Sequence, residues 1–334
     1  MRLRQVSLVA PIACLTACQE WQSALHPRGP EARQLADLFW IFTAVTGVVW
    51  LLTMLVLLAA LLRRRAPPRD PLATDPVTER RMTAIVSTAV GLTGLTVLVL
   101  TGLSYASQRD LYSGKGEGLT IRVNGHQFWW EVTYEDAEPY KTFTTANEIH
   151  IPVGEPVTVK LNASDVIHSF WVPSLFGKQD LIPGRENAIR FTAEREGTYR
   201  GQCAEFCGWQ HAHMGLLVVA RPKEAFERWR EQQIRPADPP ADPERQKGLQ
   251  VFLSKPCVMC HSVRGTPAGG RVAPDLTHVG SRQTLAAAML PMSRGNLAAW
   301  IVDPQSIKPG VNMPLTKLEP DEIDPLVSYL EGLK

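Results

Sequence analysis

The segment G-Q-C-A-E-F-C-G-W-Q-H-A-H-M-G sets Cys203 and Cys207 four residues apart, with Glu205 between them, His211 four beyond and Met214 three further on. Two thiolates, an imidazole and a thioether form a soft donor set that selects copper in a redox role. Cysteines at this spacing can bridge a pair of metal ions instead of holding one each. An electron spread over a bridged pair disturbs each metal little, so it arrives and leaves with a low barrier. A structural zinc site is the competing reading, but zinc prefers four strong ligands and has no use for a thioether. His213 competes with His211 for the imidazole position.

A symmetric pair needs a second imidazole from elsewhere. His168, in D-V-I-H-S-F-W-V-P, precedes an alternating stretch that reads as a strand able to carry it to the loop. A second run, C-V-M-C-H at Cys257, Cys260 and His261, reads as covalent attachment of a c-type haem, with the histidine on the iron. For the opposite axial position the chain offers Met259, Met289, Met292 and Met313. Met259 is trapped inside the attachment motif. Met313 lies in K-P-G-V-N-M-P, whose turn residues can hold a thioether free of helical constraint, while Met289 and Met292 read as helix packing. A thioredoxin-like redox pair would explain the two cysteines but neither the adjoining histidine nor the methionine loop.

These residues need a scaffold. The chain has 334 residues, a length suited to two or three domains, and a net charge of +2, which argues against a large nucleic-acid footprint. Residues 38–62 and 84–105 carry no charge and as helices span about 37 Å and about 33 Å, each enough to cross a bilayer. Arg63, Arg64, Arg65, Arg69, Arg80 and Arg81 crowd the connection, so the positive-inside rule puts it in the cytoplasm and everything beyond the hairpin outside. Ala84, Ser87, Gly91 and Gly94 line one face of the second span, suited to close packing against a membrane partner or the first span.

From Leu119 to Ala220 short alternating runs separated by turns predict an antiparallel β-sandwich or barrel. A charged helical stretch follows Arg221, then P-A-D-P-P-A-D-P from Pro236 to Pro243 reads as an extended, semi-rigid linker. The last ninety or so residues read as helical, closing with a helix near 319–333. Of six cysteines, two pairs are taken by the metal and haem motifs, so no disulfide framework remains. Cys14 and Cys18 fall in a leader: Arg2 and Arg4, an apolar run to Leu15, then L-T-A-C. That ending resembles a bacterial lipoprotein box with Cys18 as the lipidated residue; ordinary secretory cleavage nearby is the alternative.

His168 together with C-A-E-F-C-G-x-x-H-x-x-M resembles the copper A centre of subunit II of haem-copper cytochrome oxidases. The resemblance implies that Cys203 and Cys207 bridge two coppers, that His168 and Met214 complete one, and that His211 and the Glu205 carbonyl complete the other. It also implies that the Glu205 side chain helps hold a magnesium ion at the junction with subunit I. A-P-D-L-T-H-V-G-S-R from Ala273 resembles the cytochrome c segment whose proline carbonyl, here that of Pro274, orients the haem histidine, which leaves His278 as a surface residue. Met313 matches the cytochrome c methionine loop. Q-S-A-L-H-P-R-G-P from Gln22 and K-Q-D-L-I-P-G-R from Lys178 carry further similarity.

The implied architecture is multi-domain, of the caa type with a fused cytochrome c. It comprises a signal peptide (1–18), a transmembrane helical hairpin (19–110), an all-β cupredoxin copper A domain (111–221), a helix and linker (222–243) and an all-α cytochrome c domain (244–334). The implied activity is electron delivery in the bacterial plasma membrane. A soluble or membrane cytochrome c, or complex III, feeds the fused haem in the periplasm, and electrons pass through copper A to subunit I, where O2 is reduced to water and protons are pumped. No oxygen-reducing centre lies in this chain. In the family a glutamate followed by x-x-W-T marks a proton pathway near the second span; Glu79 precedes R-R-M-T, with Met82 in place of the tryptophan. Where many relatives have G-H-Q-W-Y-W for docking soluble cytochrome c, this chain has G-H-Q-F-W-W, so Phe128, Trp129 and Trp130 mark the expected electron-accepting region. The copper subunit of a nitric oxide reductase, or a membrane-tethered electron shuttle, would share parts of this pattern.

Overall fold

The computed structural model describes residues 22–63, 75–112 and 118–334. The leader with Cys14 and Cys18, and the loop residues Arg64, Arg65 and Arg69, lie outside the described residues.

Two compact units are present, residues 34–115 and the remainder. The first is built on two long helices, α1 (Pro30–Leu62) and α2 (Pro76–Tyr112), both long and apolar enough to cross a membrane. Their leucines and valines are exposed along the whole length, as at Val56 and Leu98, which suits a hydrocarbon solvent. The hydroxyls of Thr43, Thr46, Thr53, Thr93 and Thr96 each bond the carbonyl four residues back at 2.7–2.9 Å. No polar group on these side chains is then left for lipid to satisfy. The small-residue face of α2 is open: a Cβ added at Gly91 or Gly94 would meet nothing within 4 Å. Packing against α1 therefore does not use that face.

In the second unit, strands β1 (Leu119–His126), β2 (Trp129–Tyr134), β3 (Phe143–Ala146), β4 (Glu148–Pro152), β5 (Pro156–Ala163), β6 (His168–Trp171), β7 (Lys178–Leu181), β8 (Asn187–Thr192), β9 (Gly197–Cys203) and β10 (Gly215–Arg221) make two five-stranded sheets. Their orders are β3-β2-β1-β5-β8 and β4-β10-β9-β6-β7. Most pairings are antiparallel, but β1 runs parallel to β5 and β10 parallel to β4. Alternation dictates the layering: β5 buries Val157, Val159, Leu161 and Ala163 and turns the residues between them outward.

Strand β10 breaks that rule, being buried on both faces from Gly215 to Ala220. Leu217 and Val219 cluster with Ala288 of the C-terminal region, which covers them. Helix α3 (Lys223–Ile234) covers the neighbouring strand, its Trp229 stacked on His150 with ring centres 4.1 Å apart.

The C-terminal region packs α4 (Pro243–Ser254) across α8 (Pro320–Glu331). They cross at Gly248, where a Cβ would lie 2.0 Å from the Pro325 carbonyl oxygen, so only glycine permits the approach. Between them come α5 (Cys257–Cys260), the short pair β11 (Thr284–Leu285) and β12 (Leu290–Pro291), α6 (Arg294–Val302) and α7 (Pro304–Ile307). Met289 and Met292 flank β12 and do not sit in a helix as the sequence suggested, because Ala286, Ala287 and Ala288 turn left-handed, with φ of 54°, 63° and 58°. Left-handed alanines cost roughly 1–2 kcal/mol each and persist only where surrounding contacts enforce them.

The proline-rich segment is not a free spacer. Ala237 N–H donates to Arg264 O at 2.9 Å, and the Arg264 guanidinium donates to the carbonyls of Gln233 and Ile234. His278, expected at the surface, is buried, with Nε2 3.0 Å from Arg235 O.

Candidate metal centres

Sheet β4-β10-β9-β6-β7 assembles the first site. His168 opens β6, Cys203 closes β9, and the loop from Ala204 carries Cys207 and His211 before Met214 leads into β10. The strand pairing Phe170↔Cys203 sets His168 beside the loop. Cys203 Sγ lies 3.8 Å from Cys207 Sγ, 3.9 Å from His168 Nδ1 and 3.2 Å from Glu205 O. Cys207 Sγ lies 3.7 Å from His211 Nδ1 and 3.9 Å from Met214 Sδ. Ligand atoms of His168, Cys203 and Cys207 all lie within 4.8 Å of one another. Each imidazole thus addresses a different sulfur, and the buried Met214 thioether faces the cluster. A single closed zinc site would leave that thioether and the Glu205 carbonyl without a role, whereas a soft pair of coppers uses both.

The electrostatics suit metal capture. Cys203 is drawn down to about 3, foremost by its hydrogen bond with Cys207, and that same bond pushes Cys207 far above the usual thiol range. The pair therefore gives up one proton readily and releases the second only in exchange for a cation. Burial works against charge on His168, yet its bonds to Cys203 and Asp165 raise it above the ordinary imidazole value.

Asp165 was not read from the sequence. Its Oδ1 lies 2.8 Å from His168 Nε2, which fixes the ring and leaves Nδ1 for the metal. Gly125 was likewise missed: a Cβ there would lie 2.7 Å from His168 Cδ2, so the imidazole occupies space that only glycine leaves. His213 is not part of the cluster. It is exposed, with Nδ1 2.7 Å from Gln210 Oε1.

Of the aromatic trio, Trp130 is fully buried, its ring 6.0 Å from that of His168 and 6.1 Å from that of Phe170. Phe128 is buried too, and Trp129 stacks on His126 at 4.4 Å. The outward aromatics are instead Phe206, 76% exposed, and Trp209, 91% exposed, which flank Cys207. Glu205 is half-buried. Glu79 lies exposed in the first turn of α2, far along the sequence from every other site residue.

The second site stands in the C-terminal region. The single turn of α5 puts Cys257 and Cys260 three apart on one helical face, both as free thiols. His261 Nδ1 lies 2.7 Å from Pro274 O, which leaves Nε2 as its open nitrogen, and burial holds the imidazole below its usual value and hence neutral. Both are what haem attachment and iron ligation require. Gln305, also unread from the sequence, donates from Nε2 to Val311 O and Met313 O, each at 2.8 Å, and so fixes the methionine loop. Met259 projects into solvent, and Met292 packs on the domain core.

Residues 137–221 match the family described as cytochrome c oxidase subunit II, periplasmic domain, and residues 246–334 match cytochrome c. Cytochrome c oxidase subunit 2 of Alkalihalophilus pseudofirmus is 35% identical over 96% of this chain and 94% of that protein. The chain belongs to the cytochrome c oxidase subunit II family. It is a subunit of an oxidoreductase, of the caa type with a cytochrome c domain fused after the copper domain. Subunit 2 of Bacillus subtilis is 29% identical over 100% of this chain and 98% of its own length. Among solved structures, the periplasmic domain of subunit II of cytochrome oxidase of Bradyrhizobium japonicum is 31% identical, covers 36% of this chain and 95% of that one, and gives a TM-score of 0.34. Copper and c-type haem binding follow from the two families.

Proposed function

We propose that this subunit II takes electrons from an external cytochrome c or another respiratory donor at its C-terminal domain. They pass to the copper domain and then to subunit I, where O2 is reduced to water and protons are pumped. The observation that carries this reading is the convergence of His168, Cys203, Cys207, His211, Met214 and the Glu205 carbonyl on one sulfur pair. When bound, a dinuclear copper held there and a haem on Cys257, Cys260, His261 and Met313 supply one-electron transfer.

The residues of this chain do the rest. Asp165 and Pro274 each fix one imidazole so that a defined nitrogen faces its metal. Met313 shares its loop with Pro309, whose carbonyl accepts from Gln210 Nε2 at 2.8 Å, and Gln210 is the neighbour of His211. That contact is a short bonded connection between the two ligand loops. A magnesium ion shared with subunit I would take a ligand from the half-buried Glu205 side chain. The open small-residue face of α2 suits a helix of that subunit, and the exposed Phe206 and Trp209 suit contact with it from outside the membrane. The arginines at 63–65, 69, 80 and 81 keep the hairpin loop cytoplasmic and both metal domains periplasmic.

Purification of the chain from membranes in complex with its polytopic partner tests the reading. O2 uptake driven by a reduced cytochrome c is the expected result. Nitric oxide consumption without O2 uptake would assign the copper domain to a reductase, and purification without any partner would leave a tethered shuttle.

A further inference from the structure

Where the C-terminal domain meets the copper domain, two charged side chains are buried in opposite directions. Glu148 comes from β4 of the copper domain and is 2% exposed, and its Oε1 accepts the backbone N–H groups of Gln283 and Thr284 at 2.7 and 2.8 Å, with the Thr284 hydroxyl at 3.1 Å. Lys308 comes from the haem-side loop and is 1% exposed, and its Nζ donates to Phe128 O of the copper domain and to Ala286 O, both at 2.9 Å.

Between these two points lies the left-handed Ala286–Ala288 turn. Ala287 O accepts from Gly215 N–H at 3.0 Å, Ala288 O accepts from Arg200 Nη1 at 2.9 Å, and the Ala288 methyl seals Leu217 and Val219. Gly215 follows Met214 directly, so the strained turn abuts the copper loop. Asn312 Nδ2, 3.3 Å from Gln127 O, and Gln210 Nε2, 2.8 Å from Pro309 O, add further crossing points.

We propose that Glu148 and Lys308 form a reciprocal buried latch that holds the cytochrome c domain in one fixed pose on the copper domain, with both as positioning residues for interdomain electron transfer. The inference rests on the proposed electron route and adds to it that the haem domain does not swing on its linker. A tethered domain held by exposed charges would dock and release, with an affinity that falls with salt. Here the charges face carbonyls and N–H groups away from water, where removal of either leaves its partners unsatisfied in a closed interface. The three left-handed alanines fit the same account, because contacts on both sides enforce a turn that the isolated segment would not keep.

Hydrogen exchange on the intact oxidase, with haem and copper spectra recorded on the same samples, tests the latch. Gly215, Gln283 and Thr284 N–H should exchange as slowly as the β5 core amides in the native protein. Lys308→Met and Glu148→Gln should each speed those three by about tenfold or more, with β5 unchanged. Haem-to-copper electron transfer should be insensitive to ionic strength in the native protein and become slower and salt-dependent in both variants. Fast exchange of the three amides in the native protein would overturn the proposal. So would unchanged exchange and transfer in Glu148→Gln, the variant that keeps its shape should Lys308→Met fail to fold. Absence of the copper signal in the native protein would overturn the electron route instead and leave the latch to be judged by exchange alone.

Discussion

Replacing Gly125 by alanine puts a methyl carbon 2.7 Å from Cδ2, 3.0 Å from Cγ and 3.3 Å from Cβ of His168. Carbon atoms settle about 3.5–4.0 Å apart, so the ring or strand β1 must retreat by roughly 0.8 Å. Neither has room. His168 is fully buried, paired to Leu181 across β6 and β7 and held by Asp165, and Gly125 is locked between Trp130 and Ala163 in register. Overpacking on this scale costs about 1–3 kcal/mol, which for a unit of this size lowers the unfolding midpoint by roughly 2–12 °C. Because the displaced group is a metal ligand, copper affinity should also fall by about 10- to 100-fold, the scale set by loss of an orienting partner. Thermal unfolding and copper titration of the detergent-solubilised full chain measure both. Gly91→Ala serves as the control, since a Cβ there meets nothing within 4 Å. An unchanged midpoint and unchanged copper affinity in Gly125→Ala would refute the claim that this glycine makes room for the imidazole.

Three further outcomes are expected. Asp165→Asn keeps the shape but weakens the hold on His168 Nε2, so copper should dissociate about 10- to 100-fold more readily in a chelator competition, with the haem spectrum unaltered. Met313→Ala should abolish the sulfur-to-iron charge-transfer band and lower the haem potential, because thioether ligation favours ferrous iron; the same losses in Met292→Ala with Met313→Ala intact would assign the other methionine. Cys203→Ser should remove the mixed-valence copper signal in spin resonance while leaving the haem in place; persistence of that signal would show that Cys203 does not bridge.

The residue types and spacings of the copper loop and the attachment motif were legible because they sit close together in sequence, where ligand chemistry constrains them directly. Period-two alternation likewise exposed the β-sandwich, and uninterrupted apolar runs exposed the two long helices. What escaped was set by contacts between distant segments. Gly125 in G-H-Q has no local reason to be glycine; its reason is a ring 43 residues later. Asp165 reads as an ordinary turn residue until β6 fixes its neighbour His168. Glu148 and Lys308 look like surface charges until the two domains close against each other and bury both. One signal was available for that interface: β10 reads L-L-V-V, apolar on both faces, which a strand with a solvent side does not need. Phe128 and Trp130 are buried, yet the C-terminal domain reaches their segment through Lys308 Nζ on Phe128 O and Asn312 Nδ2 on Gln127 O, while Phe206 and Trp209 stand exposed on the copper loop.

One sulfur pair holding two coppers beside one covalent haem carries the proposed electron route. Metal analysis of the full chain after copper loading, with a spin resonance spectrum of the same sample, tests that most directly. A copper-to-iron ratio near two with a mixed-valence signal is the expected result. One tetrahedral zinc on Cys203 and Cys207, or a single copper without electron sharing, would contradict it.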